Sequence, residues 1–238
     1  MKRRLAIIPA RGGSKRIPNK NIKYFLGKPV ISYIISAAYN SGIFTKIHVS
    51  TDSLKVKEVV EKIGMASIDF LRPESISDDH TPLMPVLKFV VEKFEIDKGD
   101  FFDEVWLLMP CAPLVTANDL INASIFYDNK KTESQMLAVS ELPVPYEWIF
   151  KLDSKKNLSP LVEGGFAIRS QDLNSVYYDC GIFYAYPINL IKNSIGAGSD
   201  QNLLGFIYPK FKSVDIDNME DWNYAEKLYK VNQLDNTL

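Results

Sequence analysis

Residues 5–9, LAIIP, form an unbroken apolar run at the start of the chain. A half-exposed strand alternates apolar and polar residues, so an unbroken run suits the centre of a parallel sheet covered on both faces. The run ends in Pro9 and gives way to ARGGSKRIPNKN, residues 10–21, with two glycines, a serine, four basic residues and no acid. Open α/β sheets bind ligands beyond the carboxyl ends of their strands, so a flexible basic loop there is placed to meet an anion. A solvated basic turn has the same composition, and the rest of the chain has to decide between them.

The segments that follow alternate in type. PVISYIISAAYNSG puts Val30, Ile31, Ile34, Ala37 and Ala38 at helical spacing and stops at Gly42. KIHVST reads as the next strand. Ser53 then caps a helix striped by Val56, Val59, Val60 and Ile63. SIDFLRP reads as a third strand, LMPVLKFVVEKF as a helix and EVWLLMP as a buried strand. This order predicts an α/β fold with a parallel sheet. Regularity breaks near Ser140, where Pro, Gly and aromatic residues mark an excursion from the sheet, about Pro143 to Asp179. VYYDCGIFYAYP and FIYPKFKSVDID restore strand character. A last helix starts at Asn218, with Met219, Trp222, Ala225, Leu228 and Tyr229 as its inner face.

A length of 238 residues, 46% of them hydrophobic, suits a single domain spanning 1–238 with a sizeable core. The net charge of -1 lacks the basic excess of a nucleic-acid binder. Cys111 and Cys180 lie too far apart for a zinc pattern and read as buried free thiols. No stretch approaches the roughly 20 apolar residues of a membrane span, and Arg11 interrupts anything resembling a signal peptide. A cytoplasmic protein is expected.

Four constellations could carry chemistry. In the opening loop, Gly12 and Gly13 let backbone N–H groups turn toward an anion that Arg11, Lys15, Arg16 and Lys20 could neutralise. The loop lacks both the Walker A and the G-x-G-x-x-G spacings. Asp215 and Asp217 flank Ile216, and at this spacing in extended chain both carboxylates share a face, which suits Mg²⁺. Asn218 reads as a helix cap whether or not a metal binds. Arg169 and Gln171 could grip a carboxylate or phosphate, while Asp179, in an apolar strand, needs a partner and most simply finds a structural hydrogen bond. Asp78, Asp79, His80 and Thr81 form a polar cluster in which His80 invites a catalytic role, although a loop histidine is more often only solvated.

Taken in order, IIPARGGSKRIPNKN, VSTDS, LRPESISDD, LLMPCAPL and DIDNMEDW resemble the cytidylyltransferases that activate acidic nine-carbon sugars, over nearly the whole chain. RSQDL followed by YYDCGIFY, together with SDDHT and DIDNMEDWNYAEKLYK, is similar to the pseudaminic acid branch of that family. Sialic acid synthetases usually carry glutamine, a sugar contact, where this chain has Met109, which argues against N-acetylneuraminate. Asn19 stands where a basic residue is common.

The resemblance implies a modified Rossmann-like sheet of the nucleotide-diphospho-sugar transferase type, acting on CTP with Mg²⁺ as cofactor. It also implies a homodimer paired through the excursion. Ala10, Arg11, Gly12, Gly13, Ser14, Lys15, Lys20 and Asn21 would bind the nucleotide, with Arg72, Asp79 and Thr81 at its base or ribose. Met109, Arg169, Gln171 and Asp179 would meet the sugar. Asp215 and Asp217 would hold the metal and, with Arg11 and Lys20, carry catalysis. The alternatives are sialic or legionaminic acid as acceptor, another acceptor such as Kdo, or a nucleotide-binding sensor or scaffold on the same fold.

Overall fold

The structure, a computed structural model, describes residues 2–130 and 133–235. In chain order the strands and helices are β1 (Arg4–Pro9), β2 (Tyr24–Phe25), β3 (Lys28–Pro29), α1 (Ile31–Ser41), β4 (Lys46–Ser50), α2 (Leu54–Ile63), α3 (Leu83–Lys98) and β5 (Glu104–Leu108). They continue as α4 (Ala117–Lys130), β6 (Gln135–Glu141), β7 (Phe150–Leu152), β8 (Leu158–Pro160), β9 (Tyr177–Pro187), α5 (Ile188–Lys192), β10 (Leu203–Ile207) and α6 (Met219–Asp235).

Six strands form the main sheet in the order β10-β6-β9-β5-β1-β4. β1 pairs in parallel with both β4 and β5, so it is interior, as its unbroken apolar run requires. Alternate residues of β1 face opposite ways: Ala6 and Ile8 pack with α1, α2 and α4, while Leu5 and Ile7 pack with α3 and α5. β9 is the exception to parallel order, running antiparallel between β5 and β6. The excursion expected near 143–179 lies between β6 and β9 and contains the hairpin β7–β8.

Local signals place the elements well. Ser53 accepts from the Val56 N–H at the start of α2. Asn218 accepts from the N–H groups of Glu220 and Asp221, while Asp221 accepts in return from Asn218 N–H, a reciprocal cap on α6. Trp222 and Ala225 are buried as predicted, but Met219 is exposed because it sits on the outer side of the first turn.

SIDFLRP is not a third strand. Ser67 makes a single bridge to His48, and the next N–H, that of Asp69, faces the His48 ring instead of a strand carbonyl. The Asp69 side chain holds the segment in place: it accepts from Lys46 Nζ at 2.8 Å and Ser67 Oγ at 2.6 Å, and lies 3.2 Å from His48 Nδ1. His48 is fully buried, its ring against Phe70 at 4.6 Å, and its Nε2 has no partner. FIYPKFKSVDID is strand only through Ile207; a short 3₁₀ turn follows, and 213–217 is irregular.

Burial lowers the His48 pKa from 6.5, with the bond to Asp69 opposing the shift. The folded chain therefore keeps the ring neutral while the unfolded chain takes up a proton below about pH 6.5. Stability should fall as pH drops below about 6.5, with a slope from this one proton of at most about 1.4 kcal/mol per pH unit. Denaturant titrations across that range test this, and His48→Phe should remove this component of the slope.

Candidate active site

The opening loop leaves β1 at the carboxyl edge of the sheet. Ala10 is fully buried and its N–H donates to Ser50 O at 2.9 Å, so this amide continues the ladder instead of facing an anion. Gly12 N–H donates to Asp52 Oδ1 at 3.0 Å, and Ser14 N–H to Gly12 O at 3.2 Å. Three of the Ala10–Ser14 amides are thus used within the protein, which leaves those of Arg11 and Gly13 for an anion. A Cβ on Gly12 would lie 2.9 Å from Ser53 Cβ, a contact only glycine avoids. Beside Gly13 the space is open.

Asn21, 5% exposed, pins this loop from behind. Its Nδ2 donates to Arg11 O at 3.0 Å, and Cys111 Sγ donates to its Oδ1 at 3.5 Å. Burial pushes the Cys111 thiol up to about 12, so it stays a protonated donor. One bond at each end of its amide thus lets Asn21 fix the loop.

A cleft of about 230 Å³ opens beneath the loop. Arg11, Ser14, Lys15, Arg16 and Lys20 line it together with Arg72, residues of the turn at 78–81, Met109 and Asp217. Arg72 is buried, its pKa lowered first by burial, and its Nε and Nη2 have no hydrogen-bond partner. Asp52 stands 3.9 Å from Nη2, beyond hydrogen-bonding reach. Two adjacent buried donors without acceptors are costly, and they mark where a ligand with two adjacent acceptors fits.

The cations lie against acids. Arg11 Nη1 is 2.5 Å from Asp79 Oδ1, and Lys15 pairs with the other oxygen of Asp79. Arg16 forms a two-pronged bond to Asp217, with distances of 2.7 and 2.8 Å. Lys20 Nζ donates to Ile216 O at 2.6 Å and stands 3.7 Å from Asp217. Asp78 closes its turn, accepting from His80 N–H at 2.6 Å, Thr81 N–H at 2.7 Å and Thr81 Oγ1 at 3.1 Å. His80 is exposed and enters through its backbone alone.

Ile216 is fully buried between Asp215 and Asp217, and the charge of Asp217 acts on Asp215. The segment that carries them is irregular, not a strand. Asp215 makes no hydrogen bond or salt bridge among the described residues. The protein mass around the cleft strips part of its hydration, and with the nearby Asp217 this raises its pKa. A side chain at Gly181 would bring its Cβ within 3.3 Å of Asp215 Oδ2, so glycine keeps that oxygen clear. Two repelling carboxylates, one of them unpaired, fit a divalent cation, which needs only one or two protein carboxylates when phosphate and water complete its shell. Among the described residues no third His, Cys, Asp or Glu joins them.

The sugar-side residues are less gathered. Met109 lies in the cleft, but Arg169 and Gln171 sit exposed on the excursion and do not line it. Asp179 accepts from Gly181 N–H at 2.9 Å and from Tyr184 Oη at 2.8 Å, the structural bonds its setting called for. The pairing of Arg16 with Asp217 and of Asp79 with Arg11 and Lys15 had no sequence signal, since the partners lie far apart along the chain.

An interior parallel strand ending in a basic loop, with an acid pair returned to it from the chain's far end, defines a nucleotide-binding α/β enzyme. The sequence model of a family described as cytidylyltransferase matches residues 5–97. Pseudaminic acid cytidylyltransferase of Campylobacter jejuni subsp. jejuni serotype O:23/36 (strain 81-176) is 36% identical over 228 residues, which is 96% of this chain and 97% of that one. CMP-N,N'-diacetyllegionaminic acid synthase of Legionella pneumophila subsp. pneumophila (strain Philadelphia 1) is 32% identical over 230 residues, again 96% and 97% of the two chains. The solved structure of CMP:2-keto-3-deoxy-manno-octonic acid synthetase complexed with CTP superposes with a TM-score of 0.69 at 15% identity, covering 97% of this chain and 99% of that one, and so shares the fold. The chain belongs to the cytidylyltransferase family.

Lys20 joins the basic loop to the acidic segment and should matter for both. Lys20→Ala is expected to weaken CTP binding about tenfold, the usual scale of one charge-assisted hydrogen bond. An unchanged Kd by calorimetry would remove Lys20 from the phosphate site.

Proposed function

We propose that the protein transfers CMP from CTP to the anomeric hydroxyl of a nonulosonic acid, pseudaminic acid before its sialic and legionaminic relatives, and releases pyrophosphate with the help of Mg²⁺. The observation that carries this reading is Arg72, a buried guanidinium whose Nε and Nη2 lack partners in the same cleft as the basic loop. Cytosine presents two neighbouring acceptors, O2 and N3, to such an edge, whereas uracil carries a donor at N3. The similarities over 96% of the chain, to a pseudaminic and to a legionaminic acid enzyme, support an acidic nine-carbon acceptor. Met109, in place of an amide, favours an acceptor with an apolar group there.

Binding and positioning would carry most of the catalysis, as in phosphoryl transfer generally. Arg11, Lys15 and Lys20 would neutralise the triphosphate and the departing pyrophosphate. Asp215 and Asp217 would hold Mg²⁺, with Asp217 turning from Arg16. A bound Mg²⁺ supplies charge neutralisation at the α-phosphate and a lower pKa for the incoming hydroxyl. This leaves no need for His80 as a base.

The chain is read as one domain with its excursion at a homodimer interface. Leu152, Leu158 and Phe166 are 56%, 63% and 65% exposed there, apolar surface that pairing would cover. Arg169 and Gln171, on the same excursion, would then serve the sugar in the neighbouring subunit's cleft. Two buried free thiols and a nucleotide substrate suit the reducing cytoplasm; among the described residues no helix is long and apolar enough to cross a membrane.

A panel of nonulosonic acids with CTP and Mg²⁺, read by pyrophosphate release, tests the acceptor: pseudaminic acid should give the highest kcat/KM. With that substrate Asp215→Ala should lower kcat at least about a hundredfold while the fold persists. Near wild-type release would remove Asp215 from the metal site.

A further inference from the structure

Asp79 is the unexpected member of the cleft. A residue that touches a triphosphate should not be an acid, yet its carboxylate lies between two cations of the basic loop. Lys15 and then Arg11 hold its carboxyl below the usual range, so it is ionised at neutral pH. Its backbone is fixed by the Asp78 turn, and Asp78 O accepts a further 3.0 Å bond from Arg11 Nη1. The side chain of Asp79 is thus the part free to swing.

We propose that Asp79 is a specificity-determining residue that stands in for a phosphate between Arg11 and Lys15 and yields only to a polyphosphate chain. Carboxylate and phosphate oxygens use the same cationic donors in the same way. They cannot share them, because a phosphate on Arg11 and Lys15 would face the Asp79 charge. Binding is therefore an exchange, in which Asp79 leaves and phosphate enters. A lone inorganic phosphate gains little over the carboxylate it displaces. A triphosphate also reaches Arg16 and Lys20, which line the same cleft, and wins the exchange. After transfer, Asp79 competes with pyrophosphate for the same pair and favours its departure.

The inference rests on this cleft being the triphosphate site, and the test separates the two. Pyrophosphate and inorganic phosphate are titrated by calorimetry, without sugar or turnover, into the wild-type chain, Asp79→Asn and Asp79→Glu. Asp79→Asn should bind pyrophosphate about fivefold tighter and show measurable phosphate binding, while Asp79→Glu, which keeps the charge, stays within about twofold of wild type. Equal or weaker pyrophosphate binding by Asp79→Asn overturns the role of Asp79 alone. If none of the three proteins binds pyrophosphate, the triphosphate reading of the cleft falls too.

Discussion

One hydrogen bond, from Lys20 Nζ to the carbonyl of Ile216 at 2.6 Å, joins the two ends of this chain. Together with the two-pronged bond from Arg16 to Asp217, it sets the distance between the basic loop on one side of the cleft and the acidic segment on the other. The bond is supported from below. Ile17 and Ile216, nearly or fully buried, share a small core with Cys111, Val214 and Trp222, apart from the two cores that line the sheet. The site thus has its own apolar foundation, so its geometry does not depend on flexible side chains alone.

Charge in the cleft is balanced locally. The whole chain carries -1, and the loop's four cations each lie against an acid or a carbonyl from another part of the chain. A cleft so arranged can hold a strong anion site without giving the protein an exposed basic patch of the kind that gathers nucleic acid. On the proposed reading, the charge that would act on a triphosphate is held in these pairs until a ligand rearranges them.

What the sequence made legible was local or strongly periodic. The interior position of β1 follows from five consecutive apolar residues, and the caps at Ser53 and Asn218 act over three residues. The basic loop and the acid pair could be named because their chemistry is concentrated in a few adjacent positions. SIDFLRP misled because apolar content resembles a strand, whereas beyond Ser67 the segment is held by bonds of the Asp69 side chain to Lys46, His48 and Ser67. The bond from the Ala10 amide to Ser50 was hidden for a related reason: only the neighbouring strand shows it. The Asp79 pairs, the orphan edge of Arg72 and the tether from Cys111 through Asn21 join segments distant in sequence, where no spacing rule reaches.

The close approach of Gly12 to Ser53 also constrains how this chain can change over time. The loop rests on the first turn of α2, with no room for a methyl group at Gly12 unless Ser53 gives way. Ser53 cannot shrink freely, since its hydroxyl caps that helix, and the preceding Asp52 holds the Gly12 amide. Gly12, Asp52 and Ser53 are therefore coupled: a side chain gained at Gly12 needs a compensating change at Ser53. Two stretches some forty residues apart are in this respect a single motif.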